Sequence, residues 1–226
     1  MAAKKATASV PAPGPAPERP APEGPMFTNT WFDNTAKPVW DGLIPRIDPH
    51  KVLEVGSFEG ASALYLIDAL AKSHPLELHC VDTWDGGVEH ADVNMNSVEA
   101  RFSHNTRWAM ASAAHPVDLR IHKGFSDLGL ARLLTELGPE YFDFVYIDGS
   151  HQAPDVLCDA VLGFKLLKVG GVMAFDDYLW SENLPTGRDL LRCPKPAVDA
   201  FVNLNFRKLN VLSAPLYQLY IQKIAS

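Results

Sequence analysis

Residues 51–60 read KVLEVGSFEG, a short apolar run that leads into a turn containing two glycines. The run Lys51–Val55 has the length and composition of a buried strand, and the residues after Gly60 have helical spacing. The two glycines let the backbone turn tightly and approach a ligand closely, and the following helix offers free N–H groups to an anion. The third glycine of a dinucleotide fingerprint is absent, so this turn alone fits either a cofactor loop or an ordinary strand-to-helix connection.

The same alternation continues along the chain. Further strands are predicted at 78–81, 119–122, 142–147, 171–175, 207–213 and 216–223, and helices at 61–72, 97–114, 127–137, 154–168 and 195–205. Strands that are apolar on both faces and alternate with helices predict a parallel sheet covered on both sides. The last two strands are joined by Ala214-Pro215 alone, which permits only an antiparallel hairpin. We therefore predict an α/β fold: a Rossmann-like, seven-stranded, mostly parallel sheet with helices on both faces and an antiparallel C-terminal hairpin.

Composition limits the classes of function and the domain organisation. Residues 1–25 are rich in Pro and Ala and predict an extended or disordered tail, followed by one domain over 26–226. The net charge of −7 argues against general binding to nucleic acid or anionic membranes, and no apolar run is long enough to cross a bilayer. Three widely spaced cysteines suggest neither disulfides nor a zinc site and favour a cytoplasmic location. A homo-oligomer is compatible with the sequence.

The exits of the second and third strands carry candidate ligand contacts, because ligands of open α/β sheets bind beyond the carboxyl ends of the strands. Asp82 and Thr83 end the second strand, where a carboxylate can accept hydrogen bonds from ribose hydroxyls. Ser126 and Asp127 follow the third strand, where either could bind the edge of an adenine. The alternatives are a turn cap at Asp82 and a helix N-cap at Ser126 or Asp127.

The fourth and fifth exits place three carboxylates at neighbouring strand ends. Asp148 follows the fourth strand, and Asp176 and Asp177 follow the fifth. Crowded carboxylates are costly unless a cation or a proton offsets them, and oxygen ligands of this kind suit Mg²⁺, Mn²⁺ or Ca²⁺. His151, three residues after Asp148, is a candidate general base. The alternatives are separate caps for the acids and a simple loop hydrogen bond for the histidine.

Aromatic residues follow two of these exits. Trp84 comes after the second strand, and Tyr178 and Trp180 come after the fifth. These three side chains either line an acceptor site or pack the loops that carry them.

Four motifs together resemble the class I S-adenosylmethionine-dependent methyltransferases, in particular the metal-dependent sugar and natural-product O-methyltransferases. The motifs are EVGSFEG at 54–60, VDTW at 81–84, YIDGSH at 146–151 and FDDY at 175–178, and the resemblance covers about residue 31 to the C-terminus. It implies that the first loop holds the methionine part of the cofactor and that the second exit binds its ribose. The cofactor residues so implied, together with those argued above, are Glu54, Gly56, Ser57, Gly60, Asp82, Thr83, Ser126 and Asp148.

The same resemblance implies a chemistry for the fourth and fifth exits. Asp148, Asp176 and Asp177 correspond to the ligands of a divalent metal, with Mg²⁺ expected, and His151 corresponds to the base. With Asp148 and His151 as catalytic residues, we expect metal-assisted O-methylation of a small, diol-like acceptor. The alternative is a catalytically inactive module that binds S-adenosylmethionine or protein partners, since Pro-rich tails can bind other domains. The motifs required by nicotinamide enzymes and P-loop kinases are absent.

Overall fold

A single seven-stranded sheet organises the computed structural model, which describes residues 24–182 and 184–226. Its strands are β1 (Lys51–Val55), β2 (Leu76–Asp82), β3 (Val117–Lys123), β4 (Phe142–Ile147), β5 (Leu167–Phe175), β6 (Leu209–Leu212) and β7 (Leu219–Lys223). The predicted tail, except for its last two residues, lies outside the described residues.

The strand order is β3-β2-β1-β4-β5-β7-β6. Strands β1 to β5 are mutually parallel where they pair, and β7 runs antiparallel to both β5 and β6. This order confirms the predicted sheet and its reversed terminal hairpin. The chain changes its direction of travel across the sheet between β1 and β4, so the crevice for a ligand is expected above those two strands.

Helices cover both faces of the sheet. They are α1 (Trp31–Asn34), α2 (Lys37–Ile47), α3 (Ala61–Leu70), α4 (Met95–Ser112), α5 (Ser126–Leu137), α6 (Ala153–Leu166) and α7 (Lys195–Asn205). One core contains buried side chains of α2, α3 and α4, and the other contains those of α5, α6 and α7. None of the helices in the described ranges combines the length and hydropathy needed to cross a bilayer.

The terminal hairpin differs from its prediction in one respect. Residues 213–218 separate β6 from β7, so the connection is longer than Ala214-Pro215. The reason is that residues just before β7 bind the exit of β5 instead of pairing with β6. The Tyr178 backbone N–H donates to the Tyr217 carbonyl at 2.9 Å, and the Gln218 side chain donates to Asp176 at 2.6 Å. The end of the sheet thereby supports the candidate site.

The buried face of α6 differs in part from the one that its apolar spacing predicts. That spacing places Leu157 and Val161 in the core, but their side chains are exposed. The helix is rotated so that Val156, Asp159 and Phe164 face inwards. The buried face of α6 is therefore largely apolar, as predicted, but it is displaced around the helix and includes the carboxylate of Asp159.

Candidate active site

A cavity of about 1140 Å³ lies beyond the carboxyl ends of β1 to β5. Pockets for one drug-sized ligand are about 300–1,000 Å³, so this cavity has room for two small molecules side by side. Eight of its lining residues are Asp or Glu, and none of the described ones is Lys or Arg. Such a lining is unsuited to a phosphorylated ligand and suited to one that carries positive charge or hydroxyl groups.

The loop after β1 passes close beneath the cavity. Gly56 has a left-handed φ of 83°, and a Cβ at this position would lie 1.9 Å from the carbonyl oxygen of Asp148. Only glycine permits this approach of the β1 exit to the β4 exit. Gly56 and Ser57 line the cavity, and the Asp148 backbone N–H extends the sheet by donating to the Val55 carbonyl at 2.7 Å.

Glu54 and Gly60, in contrast, do not line the cavity. The Glu54 side chain is completely buried and accepts hydrogen bonds from Ser57, Ser62 and the Cys80 thiol. Burial raises the pKa of Glu54. Gly60 has a φ of 80°, and a Cβ there would lie 2.9 Å from the Phe102 ring. Both residues hold the loop in shape from behind, and a direct contact of either with a cofactor stays a prediction.

Asp82 clamps the first two exits together. One of its oxygens accepts the backbone N–H groups of Ser57 at 2.7 Å and Phe58 at 3.0 Å, and the other accepts that of Trp84 at 2.7 Å. The predicted ribose carboxylate therefore also performs the turn-capping role of the alternative interpretation. Asp82 and Thr83 both line the cavity. Because a carboxylate has about four acceptor positions, Asp82 keeps capacity for a ligand hydroxyl.

The third exit contains a group that the sequence analysis missed. Asp159 of α6 is completely buried against the cavity wall near Ser126, and neither of its oxygens has a hydrogen-bond partner among the described residues. Burial raises the pKa of Asp159 to about 7, although the nearby Ser126 hydroxyl acts in the opposite direction. Ser126 and Asp127 start α5 without making a side-chain cap, so the N-cap interpretation is wrong.

The predicted group of three acids is assembled in part. Burial first, and then the charges of Asp176 and Asp177, raise the pKa of Asp148 well above its ordinary value. Burial and the charge of Asp177 also raise the pKa of Asp176. Asp176 accepts hydrogen bonds from the Tyr146 hydroxyl and from Gln218. These carboxylates are therefore close enough to repel one another.

His151 contacts Asp177. Its Nε2 lies 2.9 Å from an Asp177 oxygen, and its ring lies against that of Trp180, with 4.1 Å between centroids. Asp177 has a left-handed φ of 52°, a conformation that non-glycine residues adopt only rarely. The pair has the arrangement of a base whose ring is oriented by a carboxylate. All three side chains line the cavity.

The donor chemistry at these exits fits a divalent cation. Three carboxylates share one end of the cavity, and burial together with mutual repulsion raises the pKa of Asp148 and Asp176. No Lys or Arg of the described lining balances their charge. Their oxygens do not all lie within 4.8 Å of one another in the described chain. Small rotations of the Asp176 and Asp177 side chains would be needed for all three to share one ion, and carboxylate side chains rotate readily.

Of the three aromatic candidates, only Trp180 lines the cavity. Trp84 is buried against Phe102 and donates its indole N–H to the Phe58 carbonyl at 3.0 Å. Tyr178 is buried as well and bonds with Asp199 and Lys195. The interpretation in which Trp84 and Tyr178 line the acceptor site is therefore wrong. Their rings face the two cores because the exits turn sharply after Asp82 and Asp177.

An N-terminal strap, residues 24–30, completes the cavity wall. The Met26 backbone N–H donates to Asn105 at 2.6 Å, and Thr28 donates twice to the buried carboxylate of Glu59, at 2.7 Å each. Arg101 also pairs with Glu59. Phe27 and Asn29 of the strap line the cavity, as does Trp31 of α1. No spacing signal in the sequence predicts the strap, because its hydrogen-bond partners beyond α1 are 31 to 80 residues away.

Comparison with known proteins yields one family and several similar folds. The model of the family described as "Methyltransferase domain" matches residues 53–178, more than half of the chain. The probable caffeoyl-CoA O-methyltransferase 3 of Dictyostelium discoideum is 27% identical over 202 residues, which cover 81% of this chain and 73% of that protein.

Two solved structures illustrate the fold. The O-methyltransferase TomG from Streptomyces achromogenes, solved in complex with SAM, has a TM-score of 0.55 and 18% identity, and the match covers 81% of this chain and 77% of that one. The O-methyltransferase NovP has a TM-score of 0.57 and 15% identity, with 84% and 78% covered. At these identities the likeness concerns the fold alone.

Proposed function

The chain belongs to the methyltransferase domain family and is a class I methyltransferase, and from this premise we propose that it transfers the methyl group of S-adenosylmethionine to a hydroxyl oxygen of a small acceptor. The observation that carries the proposal is the contact between His151 and Asp177 inside a cavity large enough for cofactor and acceptor together. The similarity to a probable O-methyltransferase supports oxygen as the acceptor atom.

The cofactor would occupy the side of the cavity above β1, β2 and β3. Gly56 and Ser57 would hold its methionine part, and Asp82, with Thr83, would accept hydrogen bonds from its ribose. Ser126 and the buried, unpartnered Asp159 would bind the adenine edge, where an amine can donate to a carboxylate. The described lining is acidic and contains no Lys or Arg, which favours a sulfonium over a phosphate-bearing cofactor.

The acceptor would occupy the other side, between His151, Trp180 and the strap. Asp148, Asp176 and Asp177 would hold a divalent cation such as Mg²⁺, which when bound supplies a Lewis acid that lowers the pKa of a nearby hydroxyl. Vicinal hydroxyls, as in a sugar or a catechol, suit such a site, so we propose a diol-like acceptor.

The residues of this chain would then act on the proton and on alignment. His151 takes the proton of the acceptor hydroxyl, and Asp177 fixes the imidazole orientation through its 2.9 Å contact. The acceptor oxygen attacks the methyl carbon in line, the carbon–sulfur bond breaks, and its electron pair stays on sulfur, giving S-adenosylhomocysteine. Because the sulfonium methyl is already electrophilic, alignment and removal of the proton are the main tasks of the enzyme.

The test separates cofactor binding from turnover. Binding of S-adenosylmethionine is measured by calorimetry with and without Mg²⁺ on the wild type, on Asp82→Ala and on Asp148→Asn. Formation of S-adenosylhomocysteine is then followed with catechols and sugar diols, using His151→Gln and the matched control His115→Ala. We expect Asp82→Ala to remove binding, Asp148→Asn to abolish metal-dependent turnover while sparing most binding, and His151→Gln to abolish turnover alone.

Three results would contradict the proposal or one of its parts. Absence of cofactor binding in either metal condition would overturn the proposal. Cofactor binding without turnover on any diol would favour the alternative of an inactive cofactor-binding module. Turnover that His151→Gln leaves unchanged would refute the role of the base.

A further inference from the structure

Two histidines and one aspartate meet at the edge of the sheet opposite the cavity. Asp48 ends α2, His50 immediately precedes β1, and His74 lies in the turn before β2. Each offers one ligand atom, and these atoms lie within 4.8 Å of one another. Because β1 spans five residues, the cluster is roughly 15 Å from the cavity. The methyltransferase chemistry proposed above does not use it.

The hydrogen bonds of His74 leave one ring nitrogen directed at Asp48. The Nδ1 of His74 lies 2.8 Å from the Pro75 carbonyl oxygen, which can only accept, so the proton of the ring is on Nδ1. The Nε2 of His74 lies 3.1 Å from an oxygen of Asp48. Two acceptors at this distance require either a second proton on the ring or a cation shared between them. A backbone carbonyl that fixes the tautomer of a histidine is the usual arrangement behind a metal ligand.

His50 places a second imidazole beside that of His74, so the cluster offers two nitrogen ligands and one carboxylate to an ion. The two imidazole rings have centroids 3.7 Å apart and are inclined by 23°. At this separation one nitrogen of each ring can contact the same ion, since a neutral imidazole binds a metal through a ring nitrogen. Asp48 and His50 are exposed and His74 is nearly buried, so an ion could enter from solvent.

We propose that Asp48, His50 and His74 form a binding site for a divalent transition metal of the Zn²⁺ type. Two imidazoles and a carboxylate suit Zn²⁺ better than Mg²⁺, and a water molecule would complete four-coordination. Usual zinc bond lengths at a tetrahedral angle separate a nitrogen and an oxygen ligand by about 3.4 Å, near the 3.1 Å between His74 and Asp48. The ion would join the α2–β1 connection to the α3–β2 turn.

The test is a zinc titration of the metal-stripped full-length chain. The number of Zn²⁺ ions bound and their affinity are measured by calorimetry, and the melting temperature is recorded with ZnCl₂, with MgCl₂ and with EDTA. The double variant Asp48→Asn/His50→Ala removes two exposed ligands, and Asn tolerates the left-handed φ of 43° at position 48. Because the cavity acids could also bind zinc, the variant Asp177→Asn shows how much of the bound zinc lies in the cavity. The control His115→Ala removes a histidine at the same edge of the sheet.

The expected result is one Zn²⁺ ion that is lost, or bound at least tenfold more weakly, in the double variant and is retained in Asp177→Asn and His115→Ala. Zinc, but not magnesium, should raise the melting temperature of Asp177→Asn. Equal melting of wild type and double variant in EDTA would show that the variant is folded. The site would be overturned if the double variant bound zinc as the wild type does. It would also be overturned if Asp177→Asn were the variant that lost zinc, because the ion would then lie in the cavity, and Asp48 and His74 would form only an ion pair.

Discussion

Replacement of the buried Asp159 by Asn should change how stability depends on pH. The pKa of Asp159 is raised by burial from 3.8 to about 7, and this difference corresponds to about 4 kcal/mol. Below pH 3.8 the carboxyl is protonated in the folded and unfolded states, so its titration does not destabilise the fold. As pH rises, the unfolded chain ionises first, so Asp159 destabilises the native state increasingly until the pH reaches about 7. The amide that the substitution introduces does not titrate and avoids this loss.

The measurement is urea unfolding of wild type and Asp159→Asn across this pH range. Between about pH 5 and pH 7 the unfolding free energy of the variant should gain about 3 kcal/mol relative to the wild type and then level off. The control Asp155→Asn changes an exposed carboxylate one turn earlier on α6 and should show no such gain. A constant difference between wild type and Asp159→Asn would refute the reasoning that an unpartnered carboxyl is buried at this wall.

Three further outcomes follow from the site. Gly56→Ala should lower the free energy of unfolding in urea by at least ~2 kcal/mol and weaken cofactor binding, because the φ of Gly56 is left-handed and a Cβ would overlap the Asp148 carbonyl. The control Gly42→Ala has open space around its Cβ inside α2, so it should leave the free energy of unfolding unchanged or raise it by up to ~1 kcal/mol. His151→Gln should lower the rate of S-adenosylhomocysteine formation by about 10²–10⁴, and an equal fall in cofactor affinity would contradict a role confined to the proton. Glu54→Gln should lower the melting temperature by an amount equivalent to ~1–3 kcal/mol, because an amide nitrogen cannot accept the bonds that Ser57, Ser62 and Cys80 now donate; an unchanged melting curve would contradict the supporting role of Glu54.

The fold could be predicted because its signals are local and repeated. Apolar strands alternating with helices require a covered parallel sheet, and the carboxyl ends of parallel strands meet at one edge. This geometry alone brings Gly56, Asp82, Asp148 and Asp176 to the cavity, although they are up to 120 residues apart in the sequence.

The contacts within the site could not be predicted in the same way. Periodicity does not state which of two consecutive acids turns towards His151, and the structure selects Asp177. Trp84 and Tyr178 are aromatic residues that follow a strand, as Trp180 is, but the sharp turns after their strands direct their side chains into the cores. In the sequence, Asp159 is an acid among apolar residues of a helix. An acid in that setting indicates a buried polar role, because carboxylates are seldom buried without one.

The N-terminal strap has a practical consequence for anyone who shortens or tags this chain. The first motif of the methyltransferase resemblance begins at residue 54, and the family match starts at residue 53. A chain trimmed to begin at Trp31 would nevertheless lose Phe27 and Asn29 from the cavity wall and leave Glu59 and Asn105 without their partners in the strap. A tag placed before residue 24 leaves these contacts in place. The part of the chain that encloses the cavity therefore starts earlier than its motifs do.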